Sequence, residues 1–74
     1  MNATPNPTDG VFTLEFEADA VYNLVFTEMS GKILFRETVT GQNILMDISK
    51  YSAGVYLLTI SNGKRQTTMR IVKD

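Results

Sequence analysis

Apolar and polar residues alternate along most of this chain, and short groups of turn residues interrupt the alternation. In residues 11–17, Phe12, Leu14 and Phe16 alternate with threonine and glutamate. A period of two is typical of a strand with one buried and one wet face. No window keeps apolar residues at helical spacing over three turns, so the pattern predicts an all-β chain.

The same pattern predicts six strands and a short seventh. Residues 21–29 have apolar side chains on both faces, which indicates a central strand, and residues 54–61 are apolar almost throughout, which predicts burial on both faces or nearly so. Asn62 and Gly63 predict a type I′ hairpin turn with both residues at its central positions. Strands this short and frequent favour a β-sandwich of about seven antiparallel strands, with a small closed barrel as the alternative. The predicted strands are residues 11–17, 21–29, 32–39, 44–48, 54–61 and 64–72, with 2–4 as the seventh.

The length of 74 residues allows a single domain, because a chain of this size buries only about 60% of its unfolded surface. We interpret residues 1–9 as an extended N-terminal connector and residues 10–74 as the folded domain. No apolar run approaches the roughly 20 residues that a membrane-spanning helix needs. The chain has no cysteine, so packing of the sheet must replace disulfide bonds.

Charge is unevenly distributed along the chain. Residues 1–63 carry seven carboxylates against three cations, whereas residues 64–74 carry Lys64, Arg65, Arg70 and Lys73 against one carboxylate. The last strand is therefore predicted to be a basic edge on an acidic body. A charged edge strand resists aggregation, and it could equally be a feature that a receptor reads. Nucleic-acid binding is not expected, because the cations are few and no aromatic residues lie between them.

Catalytic chemistry finds no support in the sequence. Histidine and cysteine are both absent, which removes the usual general base and the usual thiolate nucleophile. Asp9 and Asp19 lie in segments too sparse in oxygen ligands for calcium. We therefore expect no enzyme activity, no cofactor and no metal site. The aromatic residues lie mostly on the apolar faces of their strands, and we assign them to the core rather than to a sugar-binding surface.

Two segments carry distinctive turn chemistry. Pro5 and Pro7 fix φ and lack N–H groups, so the chain enters the domain as a stiff extended segment, and Gly10 lets it turn into the first long strand.

The second segment precedes the apolar strand 54–61. Asp47 or Ser49 can accept backbone N–H bonds and so fold the next residues into a corner, after which Gly54 supplies backbone freedom. Either Tyr56 or Val55 faces inward, and if Tyr56 does, its hydroxyl needs a partner, which a carboxylate or carbonyl of this corner could supply.

In their order and spacing these segments resemble the type A C-terminal sorting domain of the type IX secretion system of Gram-negative Bacteroidetes. Pro5, Asn6, Pro7 and Gly10 match a Pro-Asn-Pro-x-x-Gly motif at the start of such domains. The later aspartate-to-Gly-x-Tyr segment and the final basic strand are matched by Asp47, Ser49, Gly54, Tyr56, Arg70 and Lys73.

The resemblance implies an immunoglobulin-like β-sandwich at the C-terminus of a larger cargo protein. It implies passage through the periplasm, recognition by an outer-membrane translocon and a β-barrel shuttle protein, and removal by a sortase-like surface peptidase that could attach the cargo to lipopolysaccharide. The cut would then lie near residues 2–7. The unpaired last strand is a candidate docking edge, since an edge strand can add a partner strand by main-chain hydrogen bonds.

Two other classes remain open at the level of the sequence. The main alternative is a fibronectin-like spacer or adhesion module of a secreted multidomain protein, and a carbohydrate-binding module comes third. A sorting signal must stand at the natural C-terminus of its protein, whereas a spacer should be followed by further sequence.

Overall fold

Five strands in one curled antiparallel sheet make up the protein in a computed structural model that describes residues 1–63 and 65–74. The all-β prediction is confirmed, but the predicted sandwich of about seven strands is not, because the described residues form five. The strands are β1 (Asn2–Thr4), β2 (Val11–Glu28), β3 (Ile33–Asp47), β4 (Gly54–Asn62) and β5 (Arg65–Lys73).

The structure has fewer strands than predicted because two of its strands are long. The predicted strands 11–17 and 21–29 are two parts of β2, and 32–39 and 44–48 are two parts of β3. The pairing register between β2 and β3 shifts between Glu15 and Ala20, and such an irregularity bends a strand without ending it. The polar interruptions in the sequence therefore mark bends of continuous strands.

Strand β2 is the centre of the sheet, as its apolar residues on both faces predicted. Along one edge it pairs with β3, and along the other it pairs first with β1 and then with β4. Strand β4 in turn pairs with β5. The long bent strand thus belongs to both parts of the curled sheet.

The core lies on one face of the sheet. Phe26 is fully buried at its centre, with ring centroids 5.0 Å from Phe35 and 4.9 Å from Tyr56. One face of β4 is buried, whereas its outer face is half-buried and Val55 there is 39% exposed, so the prediction of burial on both faces or nearly so holds only in part. The buried apolar residues are Ala3, Phe12, Leu14, Phe16, Tyr22, Leu24, Phe26, Met46, Ile48, Tyr56, Leu58, Ile60 and Ile71.

The hairpin between β4 and β5 is present, but its turn differs from the prediction. Asn62 pairs with Arg65 and belongs to β4, and among the described residues only glycines have positive φ. Asn62 is therefore not a central residue of a type I′ turn, whereas Gly63, with φ of 62°, lies in the turn itself. Lys64, which the sequence placed in the last strand, lies outside the described residues. No helix in the described part is long and apolar enough to cross a membrane.

Candidate functional site

The two segments with distinctive turn chemistry and the end of the last strand meet at one end of the sheet. We call this the junction end and define it as residues 5–10, 47–54 and 70–74. It contains the N-terminal segment, the corner between β3 and β4, and the C-terminal part of β5. Residues far apart in the sequence are thus brought together by direct hydrogen bonds.

Asn6 joins the N-terminal segment to β5 through its side chain. Its Nδ2 donates to the carbonyl of Arg70 at 2.8 Å, and its Oδ1 accepts the N–H of Val72 at 2.9 Å. A primary amide carries one acceptor and two donors, so it can occupy the place of a peptide group beside an edge strand. The flanking Pro5 and Pro7 are exposed. Asn6 therefore supplies the pairing that these two prolines, without N–H groups, cannot.

Thr8 continues this contact with its main chain. Its N–H donates to the carbonyl of Val72 at 2.8 Å, and its carbonyl accepts the N–H of Asp74 at 2.9 Å, which pairs Thr8 in parallel with Lys73. The side chain is 1% exposed, and its Oγ1 donates to the carbonyl of Val11 at 2.7 Å and accepts the N–H of Gly10 at 3.0 Å. Every polar group of Thr8 is thus used in holding the segment.

Gly10 is required by close approach as well as by backbone conformation. Its φ is 143°, and a Cβ at this position would lie 2.9 Å from the Oγ and 3.1 Å from the Cα of Ser49. Its carbonyl accepts the N–H of Ile48 at 2.7 Å. The sequence predicted the turn at Gly10, and the structure adds that the β3–β4 corner lies directly against it.

The corner itself is formed around Asp47. Its Oδ1 accepts the backbone N–H of Ser49 at 2.9 Å and also the hydroxyl of Ser49. The hydrogen bond from this hydroxyl, followed by the one from the backbone N–H, holds the pKa of Asp47 below its ordinary value. The predicted acceptor role of Asp47 is confirmed, and Ser49 is its donor.

Tyr56 fixes the other side of the corner. Of Val55 and Tyr56, which the sequence left as alternatives, Tyr56 faces the core, and its hydroxyl donates to the carbonyl of Ser52. Gly54, with φ of 155°, pairs with Lys73 at the start of β4. The corner is therefore tied to the core through Tyr56 and to the last strand through Gly54.

The cationic side chains of β5 take no part in these bonds. Arg70 is exposed and Lys73 half-buried, and neither forms an ion pair with any residue in the ranges 1–63 and 65–74. Their main chains join the junction end, whereas their charged groups form none of its hydrogen bonds among the described residues. Among those same residues, no three metal-ligating side chains cluster together.

Sequence reasoning did not select Thr8, Ile48 or Val72 as site residues. A threonine two residues before a glycine is a signal for a local side-chain turn, and it was available for Thr8. Ile48 and Val72 contribute only backbone groups here, so their identities carry no signal of this role.

A comparison with protein families matches residues 2–74 to the secretion system C-terminal sorting domain. No curated protein matches the chain. The matched range contains every residue of the junction end and nearly the whole chain. The chain therefore belongs to this family and is a C-terminal sorting signal of the type IX secretion system, the tail of a cargo protein destined for secretion or the cell surface.

Proposed function

We propose that the secretion machinery reads this sorting signal at the junction end and along the basic β5 strand. The observation that carries the proposal is the convergence of Asn6, Gly10, Ser49 and the end of β5 at one end of the sheet. The cations of Arg70 and Lys73, which form no ion pair with the described residues, lie on the same part of β5. The spacer and adhesion alternative gains no support from the family match.

The readers we propose are the outer-membrane translocon and its β-barrel shuttle protein. Both would meet the domain from the periplasm, with the folded cargo attached before residue 1. A sortase-like surface peptidase would then separate the cargo from the domain and could attach the cargo to lipopolysaccharide. The domain itself would do no chemistry, since it has neither histidine nor cysteine.

We also propose that the curled sheet corresponds to an immunoglobulin-like sandwich. The bend in β2 gives the sheet two parts, which pair with β1 and with β4 and face a shared core. The Tyr56 hydroxyl bonds to a carbonyl four residues upstream at the corner between two strands, as the tyrosine corner of immunoglobulin-like domains does.

The experiment is export of a reporter. Residues 1–74 are fused behind a periplasmic signal and a reporter in a bacterium with type IX machinery. The tested variant carries Arg70→Glu with Lys73→Glu, and the matched control carries Lys32→Glu with Arg36→Glu, which makes the same change in net charge away from β5. The circular dichroism spectrum and melting temperature of each purified domain establish folding.

We expect the wild type and the control to reach the medium or the cell surface. The β5 variant should accumulate in the periplasm, with at least tenfold less reporter outside the cell. Equal export of both folded charge variants would show that the cations of β5 are not read. Failure of the wild type to leave the periplasm would contradict the proposal as a whole.

A further inference from the structure

The outer edge of β5 is divided into a covered part and an open part. In an antiparallel ladder, alternate residues of an edge strand direct both main-chain groups outward. The bonds of Asn6 and Thr8 to Arg70, Val72 and Asp74 identify the outward series on β5, which also includes Gln66 and Thr68. Among the described residues, those two make no outward main-chain bond.

The N-terminal segment therefore covers the edge of β5 from the carbonyl of Arg70 to Asp74. It leaves the outward main-chain groups of Gln66 and Thr68 without a hydrogen bond from the described residues. Strands in globular proteins are usually 3–10 residues long. A strand that pairs with all of β5 must occupy the place now held by Asn6 and Thr8.

We propose that residues 5–9 are a latch, which holds the segment between the cargo and the domain against the last strand. A partner strand that pairs along the C-terminal half of β5 displaces the latch, and the displacement frees the segment that leads to the cargo. Binding of the partner strand to β5 would therefore also expose the segment between the cargo and the domain to a peptidase. This inference rests on the proposed function, because the partner belongs to the secretion machinery.

The contacts indicate that the latch opens as a unit. Val72 is shared, since its N–H is bonded to Asn6 and its carbonyl accepts from Thr8. Asn6 is exposed, so its two bonds compete with water, whereas Thr8 is buried and anchors the segment. Loss of the Asn6 bonds therefore also weakens the bond of Thr8 to the same residue, Val72.

Charge defines the partner strand. Arg65, Arg70 and Lys73 lie along β5, against the single carboxylate side chain of Asp74. The complementary partner is an extended acidic segment that adds to β5 by main-chain hydrogen bonds and meets these cations with carboxylates. A second copy of β5 carries the same cations and would be repelled.

Two variants open the latch from opposite sides. Asn6→Ala removes the side-chain amide, and Val72→Pro removes the outward N–H that the amide binds. Proline is tolerated on an edge strand where its missing N–H faces away from the ladder. Thr68→Pro is the matched control, because Thr68 also faces outward on β5 but does not contact the latch.

The first readout uses the purified domain without any secretion machinery. We expect both latch variants to speed amide exchange of Asp74, which bonds to Thr8 rather than to Asn6, by at least tenfold. Endoproteinase Asp-N should cut the Thr8–Asp9 bond faster by a similar factor. Thr68→Pro should leave both rates within twofold of the wild type, with melting temperatures confirming that all variants are folded. Unchanged Asp74 exchange and unchanged cleavage in both latch variants would overturn the latch.

The second readout tests the partner. Two ten-residue peptides serve as probes, one alternating threonine with glutamate and one alternating threonine with lysine. The acidic peptide should bind Asn6→Ala at least tenfold more tightly than the wild type and shift the amide signals of Gln66, Thr68 and Arg70. Equal affinity for both proteins, tighter binding of the basic peptide, or dimers of Asn6→Ala would overturn the acidic partner. Failed export of the wild-type fusion would instead reject the proposed function and leave the latch measurements standing.

Discussion

The two ends of the sheet differ in how far apart in the sequence their best-bonded partners lie. At the junction end, hydrogen bonds join Asn6 to Val72, Thr8 to Asp74 and Gly10 to Ile48. The two residues of each pair are separated in the sequence by half of the chain or more. Closing such long loops costs conformational entropy, which only the finished fold can offset.

The opposite end, which we call the hairpin end, is formed around residues 16–22 and the turn at Gly63. Here the Tyr22 hydroxyl donates to the carbonyl of Ala18 at 2.7 Å, and the ring of Tyr22 stacks on Phe16 at 3.8 Å between centroids. These partners are neighbours in sequence. They border an open cavity of about 390 Å³ that also reaches Ile60. The comparison shows that the hydrogen bonds that close the longest loops of the chain lie at the junction end.

The largest expected effect breaks the junction end at its closest approach. Gly10→Ala places a Cβ 2.9 Å from the Oγ of Ser49 at a φ of 143°. We expect a loss of about 3 kcal/mol in the free energy of unfolding, from strain and overpacking together. Urea unfolding followed by circular dichroism measures it.

Gly31→Ala is the control for this change. Gly31 also has positive φ, at 96°, but among the described residues no atom beyond its two chain neighbours lies within 4 Å of its added Cβ. It should lose only about 1 kcal/mol from backbone strain. Equal losses in the two variants would show that the contact with Ser49 contributes nothing.

A smaller effect is expected from Thr8→Val. Valine keeps the shape of the buried side chain but leaves the N–H of Gly10 and the carbonyl of Val11 without their Oγ1 partner. The expected loss is about 2 kcal/mol, because unsatisfied buried groups keep their desolvation cost. Thermal and urea unfolding provide the measurement.

Thr38→Val at an exposed site serves for comparison. It breaks one hydrogen bond, from Thr38 Oγ1 to Asn23 Oδ1, and should change stability by no more than about 0.5 kcal/mol. A loss at Thr8 as small as this would show that its Oγ1 bonds contribute little and that Thr8 holds the junction end through its main chain alone.

The contrast between the ends also separates what the sequence predicts from what it does not. Some local features could be predicted, since the alternation around Phe12 and the turn at Gly10 follow from the chemistry of neighbouring residues. The sequence also indicated that an inward Tyr56 would need a partner at its corner, but it did not decide between Tyr56 and Val55 as the inward residue. The continuity of β2 and β3 could not be predicted, because a bend and a turn give the same polar interruption. Nor could the contact of Asn6 with Val72, because an exposed asparagine between two prolines carries no information about a partner 66 residues away.

The next largest loss in the free energy of unfolding is expected from removing the two tyrosine hydroxyls, one at each end of the sheet. Tyr56→Phe removes the bond to the Ser52 carbonyl, and Tyr22→Phe removes the bond to the Ala18 carbonyl. Each bond spans four residues, so each variant should lose about 1 kcal/mol. Urea unfolding of the two variants side by side sharpens the comparison. A much larger loss for Tyr56→Phe would mean that its bond also supports the long-range contacts of the junction end.

The smallest expected effect is the acid dependence of the β3–β4 corner. In the folded protein, hydrogen bonds from the Ser49 hydroxyl and, to a lesser extent, from its backbone N–H lower the pKa of Asp47 below its ordinary value of 3.8. A carboxylate whose pKa is lower in the folded than in the unfolded protein stabilises the fold. This stabilisation is complete above the pKa of the unfolded protein and is lost as pH falls through the pKa of the folded protein. The difference in free energy of unfolding between wild type and Asp47→Asn should therefore be constant above about pH 5 and shrink below it.

Asp19→Asn separates this effect from the change in net charge. Asp19 is exposed at the hairpin end, and its carboxylate accepts no hydrogen bond from the described residues. Subtracting its pH profile from that of Asp47→Asn leaves the contribution of the corner. A remaining difference that does not fall with pH would mean that Ser49 bonds to Asp47 without favouring its ionised form, and the corner would then be held by geometry alone.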